Sequence, residues 1–425
     1  MTHRKTAAGI AMGTLVAAVT ITSGVVWGDT VLEWNSIMQA TVSGQPPFPQ
    51  ARSAAVTQLA VFEAVNAITG DYKPYLGVVT APAEASVDAA VIAAAHAVLK
   101  TYVPAKAADL DAARAASLAA IPDGPAKTAG ISVGTSAAVS VMVARANDGS
   151  SPAQFYRPSS SDPGKWVSTP SCTAAGGLFY QWRNVTPFGL PSADEFRADP
   201  PPALSSVKYA RDYNEVKDLG AANSLERPQD RTDVARYYGA VSPVGVWNPV
   251  ARELSIGDNS SLPANARNLA LLNMAMSDAA VVTFENKYFY VSWRPETAIH
   301  LGDTDGNPRT DSDPSFAPLI GTPCFPSYPS AHAILSNAAR EVLERLYTSR
   351  LHAFTLSNPA VPGLTLTYSD LKQITDDIDD ARVYGGIHFR FDQEAGGDLG
   401  RRVGKYVYKN NLAPIRGCGC DDDLR

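Results

Sequence analysis

The chain has little of what marks several large classes of protein. Its 425 residues hold only four cysteines and six histidines. Neither a CxxC pair nor an HExxH sequence occurs, which argues against a protein-built zinc site. Positive charge is not in excess: 36 Lys and Arg stand against 42 Asp and Glu, a formal net charge of -6. Such a balance offers no basic footprint for nucleic acid. Beyond the first 28 residues we find no further run that reads as a membrane span, so the mature chain is expected to be soluble. No internal repeat is visible, and the strict alternation that strands need is scarce. What is present is a globular composition, 45% hydrophobic and 18% charged, long enough for two or three domains and a large core.

The N-terminus carries its own signal. His3, Arg4 and Lys5 precede an uncharged stretch, residues 6–28. This reads as a secretory signal peptide over 1–28, with a small-residue pattern at Val26-Trp27-Gly28, and so places the protein outside the cytoplasm. The alternative is an uncleaved N-terminal anchor, the one route by which the chain would meet a membrane. Export permits disulfides. Cys172, Cys324, Cys418 and Cys420 allow three complete pairings, and spacing does not choose among them.

From residue 29 the patterning is helical. Segments 55–68, 87–103, 105–120 and 126–147 are alanine-rich, with apolar residues three and four apart. His96, inside one of them, is expected to be a hydrogen-bonded structural histidine. Residues 148–204 are rich in Pro, Ser and Gly with interspersed aromatics, and read as a domain boundary or as a long loop over the front of a site. Helical patterns return near 207, run strongly over 262–289, and recur at 329–350, 369–387 and 392–410. The loop 301–328 contains GDTDGNPRTDSD, whose twelfth position counted from Asp303 is Pro314 where a calcium loop has Glu. It reads as a turn-rich loop with capping carboxylates. The expected architecture is all-α: an N-terminal helical part over 29–260, a C-terminal helical part over 261–412, and a Cys/Asp-rich tail over 413–425.

Three C-terminal segments hold residues that suit one chemistry. They are KYFYVSWRP with Lys287 and Arg294, PSYPSAH with Ser330, Ala331 and His332, and DARVYGGIHFRFD with Arg382, His388 and Asp392. Taken singly, the cations belong in solvent, Ser330 is an N-cap, and His388 with Asp392 is a helix-supporting i, i+4 pair. Taken together they supply three positive charges, a hydroxyl, and a backbone N–H at a helix N-terminus, where donors and dipole both favour an anion. Asp392 would fix the tautomer of His388. A tetrahedral, doubly charged oxyanion such as phosphate or vanadate matches that set.

The pattern K-x6-RP, PSxH, R-x5-H-x3-D resembles the signature of the vanadium-dependent haloperoxidases and type 2 phosphatidic acid phosphatases, over about 262–410 and on the secreted bacterial haloperoxidase side. The resemblance implies a compact helical bundle of the vanadium chloroperoxidase and acid phosphatase type, and a possible homodimer. It implies vanadate as cofactor, with phosphate able to occupy the same site. His388 would ligate the metal, and Lys287, Arg294, Ser330, Arg382 and the Ala331 N–H would hold the oxygens. His332 would act as acid–base, with Lys287 polarising peroxide. The substrates would be hydrogen peroxide and halide. In the phosphatase reading the substrate is a phosphate ester, and His388 attacks phosphorus. A non-catalytic oxyanion-binding protein is the third reading. Phe325 stands where that branch typically has Phe in chloride oxidisers and His in bromide oxidisers. Two positions depart from the signature: Ala331 replaces its glycine and Ala381 its serine. Trp293, Tyr328 and Tyr384 are candidates for the apolar wall of the pocket.

Overall fold

The computed structural model describes residues 29–173, 176–347 and 353–415. Residues 1–28, His352, Cys418 and Cys420 lie outside the described residues. In chain order the helices are α1 (Thr30–Val42), α2 (Pro47–Thr69), α3 (Val87–Tyr102), α4 (Ala107–Ala119), α5 (Pro125–Ala144), α6 (Val207–Gly220), α7 (Gln229–Ala240), α8 (Pro243–Gly257), α9 (Leu262–Tyr290), α10 (Pro295–His300) and α11 (Ala331–Leu346), then α12 (Leu371–Tyr384) and α13 (Arg390–Asn410). Between α11 and α12 a hairpin of β1 (Phe354–Ser357) and β2 (Thr365–Tyr368) pairs Phe354 with Tyr368. Among the described residues the fold is all-α apart from this hairpin, which sequence patterning missed.

Local chemistry explains the helix starts. Asp29, Ser86, Ser206, Ser242, Ser261, Ser330 and Asp370 each cap a helix by accepting a main-chain N–H on its first turn. Proline at a first turn serves α2, α5, α8 and α9, where no intrahelical N–H is lost.

The 29 residues of α9 form the axis of the molecule. Nearly every side chain from Asn265 to Tyr288 is buried, which marks a helix surrounded on all sides. It packs against α2 on one side and α11 and α13 on another. Its polar residues fasten the long loop 148–204. The Asp278 carboxylate accepts the N–H groups of Phe188, Gly189 and Leu190 at 2.5, 2.7 and 3.1 Å. Asn286 accepts from Ala198 N and donates to Phe196 O, both at 2.9 Å. A Cys172–Cys324 disulfide ties the same loop to the segment before α11.

Helix α5 corrects one expectation. By length and composition Pro125–Ala144 also suffices to cross a bilayer. One side of it packs closely on α3: a methyl at Gly134 would stand 2.1 Å from the Ala90 carbonyl oxygen.

A second close helix pair positions the site. Gly396, Gly400 and Gly404 form a stripe along α13 that lies on the backbone of α11. A methyl on Gly400 would sit 2.4 Å from the Ile334 carbonyl oxygen, so only glycine allows this approach. The N-termini of α11 and α13, with the PSAH and HFRFD segments, are thereby held side by side. Ser330 N donates to Asp392 O at 3.0 Å across the junction.

Candidate active site

Lys287 lies near the end of the buried stretch of α9, and its side chain reaches the loop before α11. Its Nζ donates to Pro326 O at 2.8 Å and Ser327 O at 2.5 Å. Arg294 caps α10. Its Nε donates to Phe325 O at 2.8 Å, and its Nη1 donates to Ile387 O at 2.9 Å and lies 3.1 Å from His388 Nε2. Arg382, in the last turn of α12, donates from Nη1 to Tyr238 O at 2.9 Å. All three cations are buried. Two of their N–H groups, Arg294 Nη2 and Arg382 Nε, have no partner among the described residues. A buried, unpaired guanidinium donor is costly, and it marks a position where an acceptor belongs.

On the opposite side of the imidazole, His388 Nδ1 lies 2.7 Å from Asp392 Oδ2, which also accepts Phe389 N at 3.2 Å. With its Nδ1 hydrogen given to the carboxylate, His388 presents the Nε2 lone pair to the Arg294 side. Ser330 Oγ accepts Ala333 N at 3.5 Å, so it does cap α11. Its hydroxyl hydrogen remains available. Ala331 is the first residue of α11, where the N–H has no intrahelical acceptor.

The electrostatics point the same way. Burial, with Arg294 beside it, holds the Lys287 ammonium well below the ordinary lysine value. Burial pushes Arg294 down to about 9 and Arg382 to about 10. His332 and His388 are likewise held well below the usual histidine value, first by burial and then by the neighbouring cations. Asp392 is pushed up to about 6 by burial, against the Ser327 hydrogen bond and the pull of Lys287 and Arg294. Three cations around one carboxylate leave positive charge uncompensated in a desolvated space. An anion would compensate it.

Ala331, His332, Arg382 and His388 line one cavity of about 270 Å³. Its apolar wall is Phe48, Phe179, Phe325, Ile320 and Leu335, together with prolines. Lys287, Arg294 and Ser330 lie buried behind that lining. The Phe325 ring is shared by both cations, with Lys287 Nζ 5.3 Å and Arg294 Cζ 5.0 Å from its centroid. A polar vestibule of about 690 Å³ shares Pro47, Gly239 and His332 with the cavity, and its lining contains no Asp or Glu.

Some expectations need correction. Trp293, Tyr328 and Tyr384 are not in the wall. Tyr328 faces a separate groove and donates its hydroxyl hydrogen to Asp199 O. The aromatic wall comes instead from Phe48 at the start of α2 and Phe179 in the long loop. Phe179 sits at φ 61° and packs on Phe325. His300 holds Phe316 O at 2.7 Å away from the cavity. His96 is partly buried against Asp111 at 2.7 Å. Asp303 and Asp305 cap turns of their loop through Ser312, Asn307 and Thr310. Sequence reasoning missed Ser327, whose Oγ donates to Asp392 Oδ2 at 2.5 Å. The repeated Pro-Ser of PSYPS was the available signal.

Residues 267–417 match the family model described as the VCPO second helical-bundle domain. The vanadium chloroperoxidase of Curvularia inaequalis is 24% identical over 275 residues, 49% of this chain and 44% of that protein, so the match spans less than half of the relative's length. Among solved structures, a bacterial vanadium-dependent iodoperoxidase superposes with a TM-score of 0.76 at 22% identity, covering 90% of this chain and 97% of that one. A holo-type bacterial vanadium-dependent chloroperoxidase gives 0.71 at 17% identity, covering 87% and 93%. These similarities agree with the signature in the sequence: the chain has the helical fold of the bacterial vanadium-dependent haloperoxidases, and its residues 267–417 resemble the second helical-bundle domain.

Proposed function

We propose that the protein is an exported vanadate-dependent haloperoxidase, which oxidises halide with hydrogen peroxide to hypohalous acid. The observation that carries this reading is the buried cluster of Lys287, Arg294 and Arg382 around His388, with two guanidinium N–H groups unpartnered. That donor set fits a tetrahedral oxyanion. His388 Nε2 would ligate the metal, and the three cations, the Ser330 hydroxyl and the Ala331 N–H would hold the oxygens. Bound there, vanadate supplies Lewis-acid activation of hydrogen peroxide without changing oxidation state.

The chain's own residues do the rest. Asp392 holds the His388 proton on Nδ1. His332 has no protein hydrogen bond to its ring among the described residues and stands where vestibule and cavity meet, so its ring nitrogens are placed to move protons of an entering peroxide. The apolar wall limits water around a halide. Ala331 adds a methyl beside the oxyanion but keeps the N–H.

A phosphatase would use the same groups, with the His388 Nε2 lone pair attacking phosphorus and His332 protonating the leaving alkoxide. One experiment separates the two. Purified protein stripped of metal and phosphate is assayed for peroxide-dependent chloride, bromide and iodide oxidation, with and without vanadate, beside p-nitrophenyl phosphate hydrolysis and a His388→Ala control. Vanadate-dependent halide oxidation that the variant loses is the expected result. Hydrolysis inhibited by vanadate, with no halide oxidation, establishes the phosphatase instead.

A further inference from the structure

Ser327 has no place in the signature that the sequence resembles, yet it touches three of the residues that make the site. It is fully buried. Its Oγ donates to Asp392 Oδ2 at 2.5 Å and lies 3.3 Å from His388 Nδ1. Its carbonyl oxygen accepts from Lys287 Nζ at 2.5 Å, and its N–H donates to Ser292 O at 2.9 Å. The side chain therefore faces the His388–Asp392 pair while the main chain holds the lysine.

The hydrogen bonds on Asp392 are uneven. Oδ2 accepts three donors: the Ser327 hydroxyl, His388 Nδ1 and Phe389 N. Oδ1 is buried with no partner among the described residues. A carboxylate free to rotate about its Cβ–Cγ bond would lose this asymmetry. The main-chain donor at Phe389 is long, at 3.2 Å, and His388 is the group being oriented. The short Ser327 bond, made to a charged acceptor, is the strongest fixed restraint on the carboxylate plane.

We infer that Ser327 is a positioning residue, which aims the Asp392 carboxylate at His388 Nδ1 and so fixes the tautomer and ring plane that direct His388 Nε2 at an oxyanion. This rests on the oxyanion-site reading above. Outer partners of a metal-binding histidine typically change affinity 10–100-fold when removed. Ser327→Ala deletes only the hydroxyl and leaves both main-chain contacts, so it separates the side chain's role from the backbone's hold on Lys287.

The test measures vanadate and phosphate binding by calorimetry on the full chain. It uses wild type, Ser327→Ala, Ser327→Thr and His388→Ala, with 15N spectra of histidine-labelled protein. For Ser327→Ala we expect Kd to rise about 10–100-fold. We also expect the His388 15N pair to move from a single Nδ1–H pattern toward a tautomer mixture, and Ser327→Thr to restore both. If wild type binds neither oxyanion, the site reading and this inference fall together. If wild type binds and Ser327→Ala binds equally well with an unchanged 15N pattern, only the role of Ser327 falls. Should Ser327→Ala not fold, Ser327→Cys, nearly isosteric and a weak donor, takes its place. Wild-type affinity in that variant would overturn the inference.

Discussion

His388 and Asp392 stand 2.7 Å apart, Nδ1 to Oδ2, four residues apart at the start of α13, with nothing on the second carboxylate oxygen. Asp392→Asn keeps the shape and one acceptor oxygen but removes the negative charge that holds the Nδ1 hydrogen and faces the three cations. Oxyanion affinity should fall about 10–100-fold. Titration calorimetry with vanadate and with phosphate reads this directly, and an unchanged Kd would remove Asp392 from the site.

His332 gives a pH prediction with a definite sign. Its folded-state value is well below the ordinary 6.5, first through burial and then through Arg382 and Lys287. Below about pH 6.5 the unfolded chain takes up a proton that the folded site refuses. Stability present above that pH is therefore lost as the pH falls. Asp392, pushed up to about 6, acts in the opposite sense between there and its ordinary 3.8. His332→Asn should make the loss of thermal stability between pH 7.5 and pH 6 shallower than in wild type. Melting curves across that window provide the check.

The Cys172–Cys324 bond spans a sequence separation of 152 residues and adjoins Phe325. Leu178 N donates to Cys324 O at 2.8 Å, so the bond also steadies the turn that carries Phe179 into the cavity. Cys172→Ser should cost about 2–4 kcal/mol of stability. It should also reduce activity below the melting temperature, because two of the three aromatic walls lose their tie. Chemical denaturation and activity at 25 °C would be measured on one preparation.

Gly400→Ala should be costly for a single methyl. The new carbon would stand 2.4 Å from the Ile334 carbonyl oxygen, and helices α11 and α13 must part to admit it. About 1–3 kcal/mol is expected for such overpacking. Oxyanion affinity should weaken more than in Gly397→Ala, where the nearest atom is 3.5 Å away.

Much of this was legible in advance. Alanine-rich, 3.6-period segments became α2 to α5 and α9, because that patterning is the imprint of a face that must be buried. Of the eight residues proposed for the site, Ala331, His332, Arg382 and His388 line one cavity, and Lys287, Arg294, Ser330 and Asp392 are buried outside its lining. The cavity's outer wall was not legible. Phe48 and Phe179 lie far away in sequence, and Phe179 sits in a loop with no period to read. Ser327 and Ser330 share the same Pro-Ser dipeptide, and nothing local tells which one caps a helix and which faces a carboxylate. The hairpin Phe354–Tyr368 has two strands of four residues, too short for alternation to stand out.

The glycine stripe on α13 also sets a rule about length. Each residue turns an α-helix by about 100° and advances it 1.5 Å. Removing one residue between Arg390 and Gly396 would swing Gly396, Gly400 and Gly404 off α11 and bring bulkier side chains onto its carbonyl oxygens. Either the helices would separate or His388 would leave its partners. Glu394 and Asp398, which are exposed, are free to vary in kind. The number of residues in that stretch is not, so for this site the count between histidine and glycine carries as much information as the residues themselves.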